Sequence, residues 1–195
     1  MTVFQVILGR RSIRKYLDKP VEDDKLLKIL EAARWAPSSR NSQPWAFVVV
    51  KNEETRRKLK ELAYGQDFIL QAPVVIAVCS KKGSNWVNLG LTMQNICLEA
   101  YELGLGTCIV GWFDREKAKE LLGVPDGWEV AYLISPGYAA TSPKSTRKKL
   151  EEITHWEVVK SIKTISALNS QIKCRRETHM RLICATQVVV FKSNR

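Results

Sequence analysis

The chain has 195 residues, 45% of them apolar and 26% charged, and carries a net charge of +11. This composition suits one globular domain with a sizeable core and excludes a disordered or fibrous chain. No apolar run approaches the roughly 20 residues of a membrane span, so no membrane partner is expected. Met1 to Leu8 meets Arg10-Arg11 too soon for a secretory leader and has no basic start, so a cytoplasmic location is expected.

The charge is uneven. Residues 158–195 hold eight Lys/Arg against one acid, Glu177, which leaves only +4 on residues 1–157. A basic tail on a mildly basic body, with no nucleic-acid motif, gives no reason to expect a nucleic-acid partner. The five cysteines are scattered and form no CxxC pair, which reads as reduced thiols. Cys174, His179 and Cys184 lack the paired spacing of structural zinc, so no metal is expected.

In chain order, Thr2 to Gly9 predicts a short helix, and Arg10 to Lys15 a basic turn. Glu22 to Trp35 has helical apolar spacing and acids in its first turn. Ala46 to Val50 reads as a buried strand, Glu53 to Ala63 as a charged surface helix, and Val74 to Cys79 as a second strand. Asn85 to Leu103 is the longest helix, striped by Leu89, Met93, Ile96, Cys97, Ala100 and Leu103. That stripe suits either the core or a subunit interface. Thr107 to Val110 is a short strand. Asp114 can N-cap a helix running to Leu122. Glu129 to Ile134 is a further strand, and Lys148 to Trp156 can start another helix. Irregular alternation of four strands with five or six helices predicts an α/β or α+β domain of two or three layers.

Four segments, all read as loops, carry the chemistry. Gly9 to Arg14 packs three arginines and Ser12 into a short stretch. Guanidinium groups match phosphate oxygens in pairs, and the hydroxyl adds a neutral donor; a solvated basic turn would also account for this segment alone. Ala36 to Trp45 holds two prolines, three serines, Asn41 and Gln43. It is a stiff loop rich in neutral donors and acceptors, suited to the polar edge of a heteroaromatic ring. Gly104 to Phe113 has glycines that allow close backbone approach, but neither a GxGxxG nor a phosphate-loop pattern. Gly137-Tyr138 is followed by Lys144, Arg147, Lys148 and Lys149.

In this order the four segments resemble the FMN-dependent nitroreductase family. Arg10 to Tyr16 is similar to its RRSxRxF opening, and Pro37 to Trp45 to its PSSxNxQPW loop. Gly104 to Phe113 resembles its GLGTxxxGxF segment, and Gly137-Tyr138 with Arg147-Lys148 its GYP turn and closing RKPLEEI. The resemblance covers residues 1 to about 157. Ala139 and Lys149 replace prolines of the family pattern.

The resemblance implies a nitroreductase-like α+β fold: a central, mostly antiparallel sheet of four or five strands flanked by helices, in a homodimer. It implies FMN as cofactor, with Arg10, Arg11 and Ser12 at the phosphate and Arg14 near the N1/C2 edge of the ring, where a cation favours negative charge. Pro37, Ser38 and Ser39 would line the phosphate and ring side, Asn41 would approach the pyrimidine edge, and Gln43 would also bind the cofactor. The Val110-Gly111 peptide would donate near N5, and Arg147 would return to the phosphate. NADH or NADPH would give a hydride to N5, and a nitroaromatic, quinone or similar acceptor would then take the electrons, in ping-pong order. No protein side chain is expected to be catalytic, since N5 does the chemistry. The alternative is an FMN-binding storage or sensor protein with little turnover. Trp86 and Trp112 are candidate walls over the flavin, or ordinary buried residues. The implied organisation is an FMN-binding domain over residues 1–157 and a basic extension over 158–195. That extension could wrap a partner subunit, act as a contact arm or be out-of-frame sequence.

Overall fold

The computed structural model describes residues 1–159. The chain divides into two compact units, Met1–Ser145 and Thr146–Arg195.

The first unit contains six α-helices and four strands. They are α1 (Val3–Gly9), α2 (Asp23–Arg34), β1 (Trp45–Val50), α3 (Glu53–Leu62), α4 (Phe68–Gln71), β2 (Val75–Lys81), α5 (Trp86–Glu102), β3 (Gly106–Val110), α6 (Arg115–Leu121) and β4 (Trp128–Gly137). The strands form one sheet in the order β1-β2-β4-β3, and every neighbouring pair is antiparallel. This is the expected α+β sheet flanked by helices.

Strand periodicity divides the core in two. Along β2, Val75, Ala77 and Cys79 face a cluster that also takes Leu59, Phe68, Ile69 and Ala118 from α3, α4 and α6. Ile76 and Val78 face the other side, where Leu26, Ile29 and Ala33 of α2 meet Leu89, Met93, Ile96 and Ala100 of α5. Successive strand residues point to opposite faces, so a continuous apolar run can serve two cores at once. The stripe on α5 is therefore core within this chain. Pairing between β2 and β4 shifts register at Val78/Cys79. The extra residue in β4 is Ala131, and both Ala131 and Tyr132 belong to the α2/α5 side. A bulge re-aims side chains in this way.

Helix ends follow their capping residues. Thr2 Oγ1 accepts from Gln5 N–H at 3.2 Å, and Gln5 Oε1 accepts from Thr2 N–H at 2.8 Å, which is a reciprocal capping box. Asp114 caps α6, accepting from Lys117 N–H at 3.1 Å.

Four expectations change. Arg10 to Lys15 is not a turn but an extended strap across the ends of β3 and β4. Ile13 N–H donates to Thr107 O at 2.8 Å, Ala140 N–H to Lys15 O at 2.9 Å and Leu17 N–H to Tyr138 O at 2.9 Å. The outer edge of β3 has free backbone groups, and the strap satisfies part of it. β4 runs beyond Ile134 through Pro136 to Gly137. Its pairing with β2 stops at Ile134, so the missing proline N–H faces no strand there. The single turn α4 was not foreseen; Arg56 Nη1 donates to Leu70 O at 2.7 Å and Ala72 O at 2.6 Å, which closes its end. In the second unit, the helix expected over Lys148 to Trp156 is only a 3-10 turn, Leu150–Glu152. Its apolar residues Leu150, Ile153 and Trp156 are exposed, and so short a helix needs packing to persist. The strand expected over Gln187 to Phe191 lies outside the described residues.

Gly137 sits between two rings: a Cβ there would lie 2.8 Å from Tyr16 and 2.9 Å from Pro73. Gly137→Ala is expected to destabilise the fold by about 1–3 kcal/mol through overpacking, read as a lower urea midpoint. An unchanged midpoint would show that the strap is loosely held.

Candidate functional site

The strap is fastened at Tyr16. Its ring is buried, and Oη lies 2.6 Å from Ser135 O, to which it donates, and 2.9 Å from both Ser135 Oγ and Ile13 O. Burial pushes the phenol well above its ordinary range, so it remains a neutral donor. Ile13 packs over Gly106, where a Cβ would come within 2.3 Å of the isoleucine. Only a glycine lets the strap lie this close to β3.

Strap, α1, α5 and β3 enclose a cavity of about 280 Å³ lined by Gly9, Arg10, Arg11, Gly106, Thr107 and Thr141, among others. Arg10 and Arg14 have no carboxylate partner among the described residues. Arg11 Nη1 donates to Leu8 O at 2.6 Å and Arg10 O at 2.9 Å, which closes the end of α1. Arg14 is exposed, and its cation offsets part of the burial that raises the Cys108 thiol. Ser12 is half-buried and bridges Thr107.

Thr107 was not among the sequence candidates, because a threonine in a strand reads only as a strand former. Yet its Oγ1 is the buried side-chain polar atom left without a hydrogen bond among the described residues, and Thr107 lines the cavity. The Cys97 thiol is near enough to sense that hydroxyl. A buried orphan hydroxyl is costly unless something else binds it.

The second candidate segment is strained. Arg40, Asn41 and Gln43 have φ of 54°, 53° and 44°, a conformation that residues with a Cβ rarely adopt. Local bonds hold it: Gln43 N–H donates to Ser38 Oγ at 2.9 Å, and Trp45 N–H to Gln43 O at 2.9 Å. Ser39 N–H donates to Oδ1 of the buried Asn88 at 3.2 Å, which ties the loop to the start of α5. The side chains of Pro37, Ser39, Asn41 and Gln43 stay exposed, with Ser38 half-buried. Strain of this kind concentrates where a ligand is held.

The third segment is mostly strand rather than loop. Val110 pairs with Leu133 at the end of β3, and Gly111 follows against Tyr132, where a Cβ would meet the ring at 3.0 Å. Arg115 Nη2 donates to Gly111 O at 2.9 Å and fixes the Gly111-Trp112 peptide. Trp86 and Trp112 are both exposed, at 51% and 68%, so neither is an ordinary core tryptophan. Arg147 belongs to the second unit, where its Nη1 donates to Thr146 O at 2.8 Å.

The two donor-bearing segments are fastened at different points of α5. The loop is fastened at Asn88, near the start of α5. Gly9, the last residue of α1 before the strap, abuts the Tyr101 side chain, near the end of α5. Thirteen residues of helix separate these points, about 20 Å at 1.5 Å per residue.

Other groups offer little chemistry. Cys79, Cys97 and Cys108 are buried free thiols. Burial raises all three, Cys79 to about 11, so they stay protonated at neutral pH. Among the described residues no cluster of His, Cys, Asp or Glu could hold a metal ion; Cys174, His179 and Cys184 lie outside them. No helix among the described residues is long and apolar enough to cross a membrane.

A cationic pocket with an orphan hydroxyl suits a phosphate, and a stiff neutral loop suits a heteroaromatic edge. Molecules carrying both are nucleotide-like cofactors, and the class of protein so defined is one that binds such a cofactor. The Nitroreductase family pattern matches residues 7–66 and 62–138. An Archaeoglobus fulgidus protein with the provisional name NADH dehydrogenase/NAD(P)H nitroreductase is 37% identical over 146 residues, 69% of this chain and 83% of its own length. The Bacillus subtilis FMN reductase [NAD(P)H] is 30% identical over 182 residues, with 80% of this chain and 73% of the relative covered. The solved structure of an FMN-dependent nitroreductase from Clostridium difficile superposes with a TM-score of 0.73 at 32% identity, covering 80% of this chain and 99% of that one. The chain belongs to the nitroreductase family.

Thr107→Val removes the orphan hydroxyl at nearly constant volume. It is expected to stabilise the cofactor-free chain by about 1 kcal/mol, measured by urea denaturation. Destabilisation instead would mean that the hydroxyl already has a partner.

Proposed function

We propose that this chain is a homodimeric NAD(P)H-dependent FMN oxidoreductase whose two cofactor sites are each built from both copies. FMN and NAD(P)H, which the Bacillus subtilis relative's name attributes to that protein, are the cofactor and reductant here. Arg10, Arg11, Ser12, Arg14 and the Val110-Gly111 peptide of one copy face Pro37, Ser38, Ser39, Asn41 and Gln43 of the other. Arg147, the remaining candidate cation, lies in the second unit. The observation that carries this reading is the separation of the two segments along α5. A single chain fastens them at points about 20 Å apart along the helix, whereas a second copy can supply the missing half.

Apolar surface supports the pairing. Val3, Phe4, Ile7 and Leu8 on α1, with Val87 and Leu91 on α5, are exposed. Such surface on a folded chain marks an interface. Residues 1–157 form the FMN-binding domain in this reading, and 158–195 are a basic extension.

Bound FMN supplies hydride acceptance at N5 followed by delivery of two electrons to a nitroaromatic, quinone or similar acceptor. The protein's part is to hold and tune it. Arg10 and Ser12 anchor the phosphate, the Thr107 hydroxyl completes the lining of that cavity, and the Arg14 cation favours negative charge at the ring's oxygen edge. The Val110-Gly111 peptide, at the end of β3, would offer the Gly111 N–H to the ring, and Arg115 holds the next carbonyl, Gly111 O.

Two experiments test the reading. Chains carrying Arg10→Ala and chains carrying Asn41→Ala are each expected to lose most bound FMN. Co-expression should restore about half of the sites in mixed dimers, because one of the two sites then escapes both changes. No restoration would place both residues in the same site of one chain. Initial rates at several fixed NADH or NADPH concentrations should give parallel double-reciprocal lines against the acceptor; intersecting lines would contradict alternating use of one pocket.

A further inference from the structure

Next to the Val110-Gly111 peptide stands a pair of aromatic side chains that lies outside the core. Tyr64 and Trp112 have ring centroids 4.6 Å apart with planes inclined at 34°. Both remain largely open to solvent, at 59% and 68% exposure. Two large rings set against each other at the surface leave apolar faces in water.

The pair is held rigidly. Gln66 Nε2 donates to Ala63 O at 3.0 Å and to Trp112 O at 3.1 Å. Asp114 N–H donates to Leu62 O at 2.9 Å. These bonds join the turn after α3 to the turn after β3. Buried Phe113 anchors the second turn from below.

Tyr64 is also held at a conformational cost. It has φ of 56° at the C-terminal end of α3, followed by Gly65 at 77°. Helices commonly end on a residue in this left-handed region, but that residue is usually glycine. A tyrosine here is disfavoured by its Cβ, and its ring buries little in return.

The polar tips complete the pattern. Neither Tyr64 Oη nor Trp112 Nε1 makes a hydrogen bond among the described residues. The pair thus offers aromatic faces and two unengaged donors beside the Gly111 peptide. Nitro groups and quinone carbonyls are hydrogen-bond acceptors on flat π-systems, and aromatic rings stack on such faces.

We propose that Tyr64 and Trp112 form the acceptor shelf of this enzyme, stacking planar aromatic acceptors and donating to their oxygen atoms beside the Gly111 edge of the site. This rests on the assignment of that edge to FMN made above. It makes acceptors with a flat π-face better substrates than compact acceptors without one.

The test uses the FMN-loaded full chain with menadione as the flat acceptor and ferricyanide as the compact one. Tyr64→Gly and Trp112→Ala are each expected to raise KM for menadione and to lower the menadione-to-ferricyanide ratio of kcat/KM about five-fold, with FMN content unchanged. Tyr64→Gly also relieves the left-handed backbone, so it should fold at least as well as the parent. Tyr64→Phe keeps the face and should retain most of the ratio. An unchanged ratio in both truncations would overturn the shelf. Loss of FMN from both would also overturn it, by making the pair a wall of the cofactor site. A parent chain that takes up no FMN would instead overturn the underlying reading, and the shelf with it.

Discussion

Helix α5 lies buried along one side against the sheet and α2, and its two ends hold the two binding segments. Asn88 near its start takes the backbone of Ser39. Tyr101 near its end receives Gly9 and the beginning of the strap. Thr92 Oγ1 and Asn95 Nδ2 donate to the last carbonyls of α2, at 2.8 Å to Ala33 O and 2.9 Å to Ala32 O. The helix therefore also fixes where the chain leaves α2 for the strained loop. Its length keeps the attachment points of the strap and of the 36–45 loop apart, and in the proposed dimer a second copy would resolve that separation. Assembly and cofactor binding become one problem, since FMN bound between copies would stabilise their association by mass action.

Local rules are broken where ligand binding is assigned. Three non-glycine residues with positive φ crowd into Arg40 to Gln43, a buried hydroxyl at Thr107 lacks a partner, and the strap crosses β3 at a glycine. Elsewhere propensity, periodicity and caps agree with the fold. Such a contrast is expected of a sequence that specifies one structure and reserves its inconsistencies for function.

Much of this was legible in the sequence. The long apolar period of α5, the two-sided run of β2 and the Asp114 cap each depend on residues close in the chain, so their elements emerged at nearly the right bounds. The strap did not, because its extended form depends on the distant edge of β3 and on Tyr16 bonding to Ser135. Pro136 disguised the end of β4, since its harmlessness depends on where β2 stops pairing. The short α4 has no periodicity to reveal it. At the site, Arg10, Ser12 and the Pro37 to Gln43 loop stood out by composition. Thr107 and Tyr64 did not, because an orphan hydroxyl and a left-handed backbone are properties of three-dimensional packing alone.

The most direct test of the account is the visible spectrum of the purified chain under anaerobic conditions, taken with its FMN content per subunit. The account predicts about one FMN per chain in a dimer, bleaching on addition of NADH or NADPH and recovering when menadione is added. A chain that takes up no FMN, or a bound flavin that neither nicotinamide reduces, would contradict it.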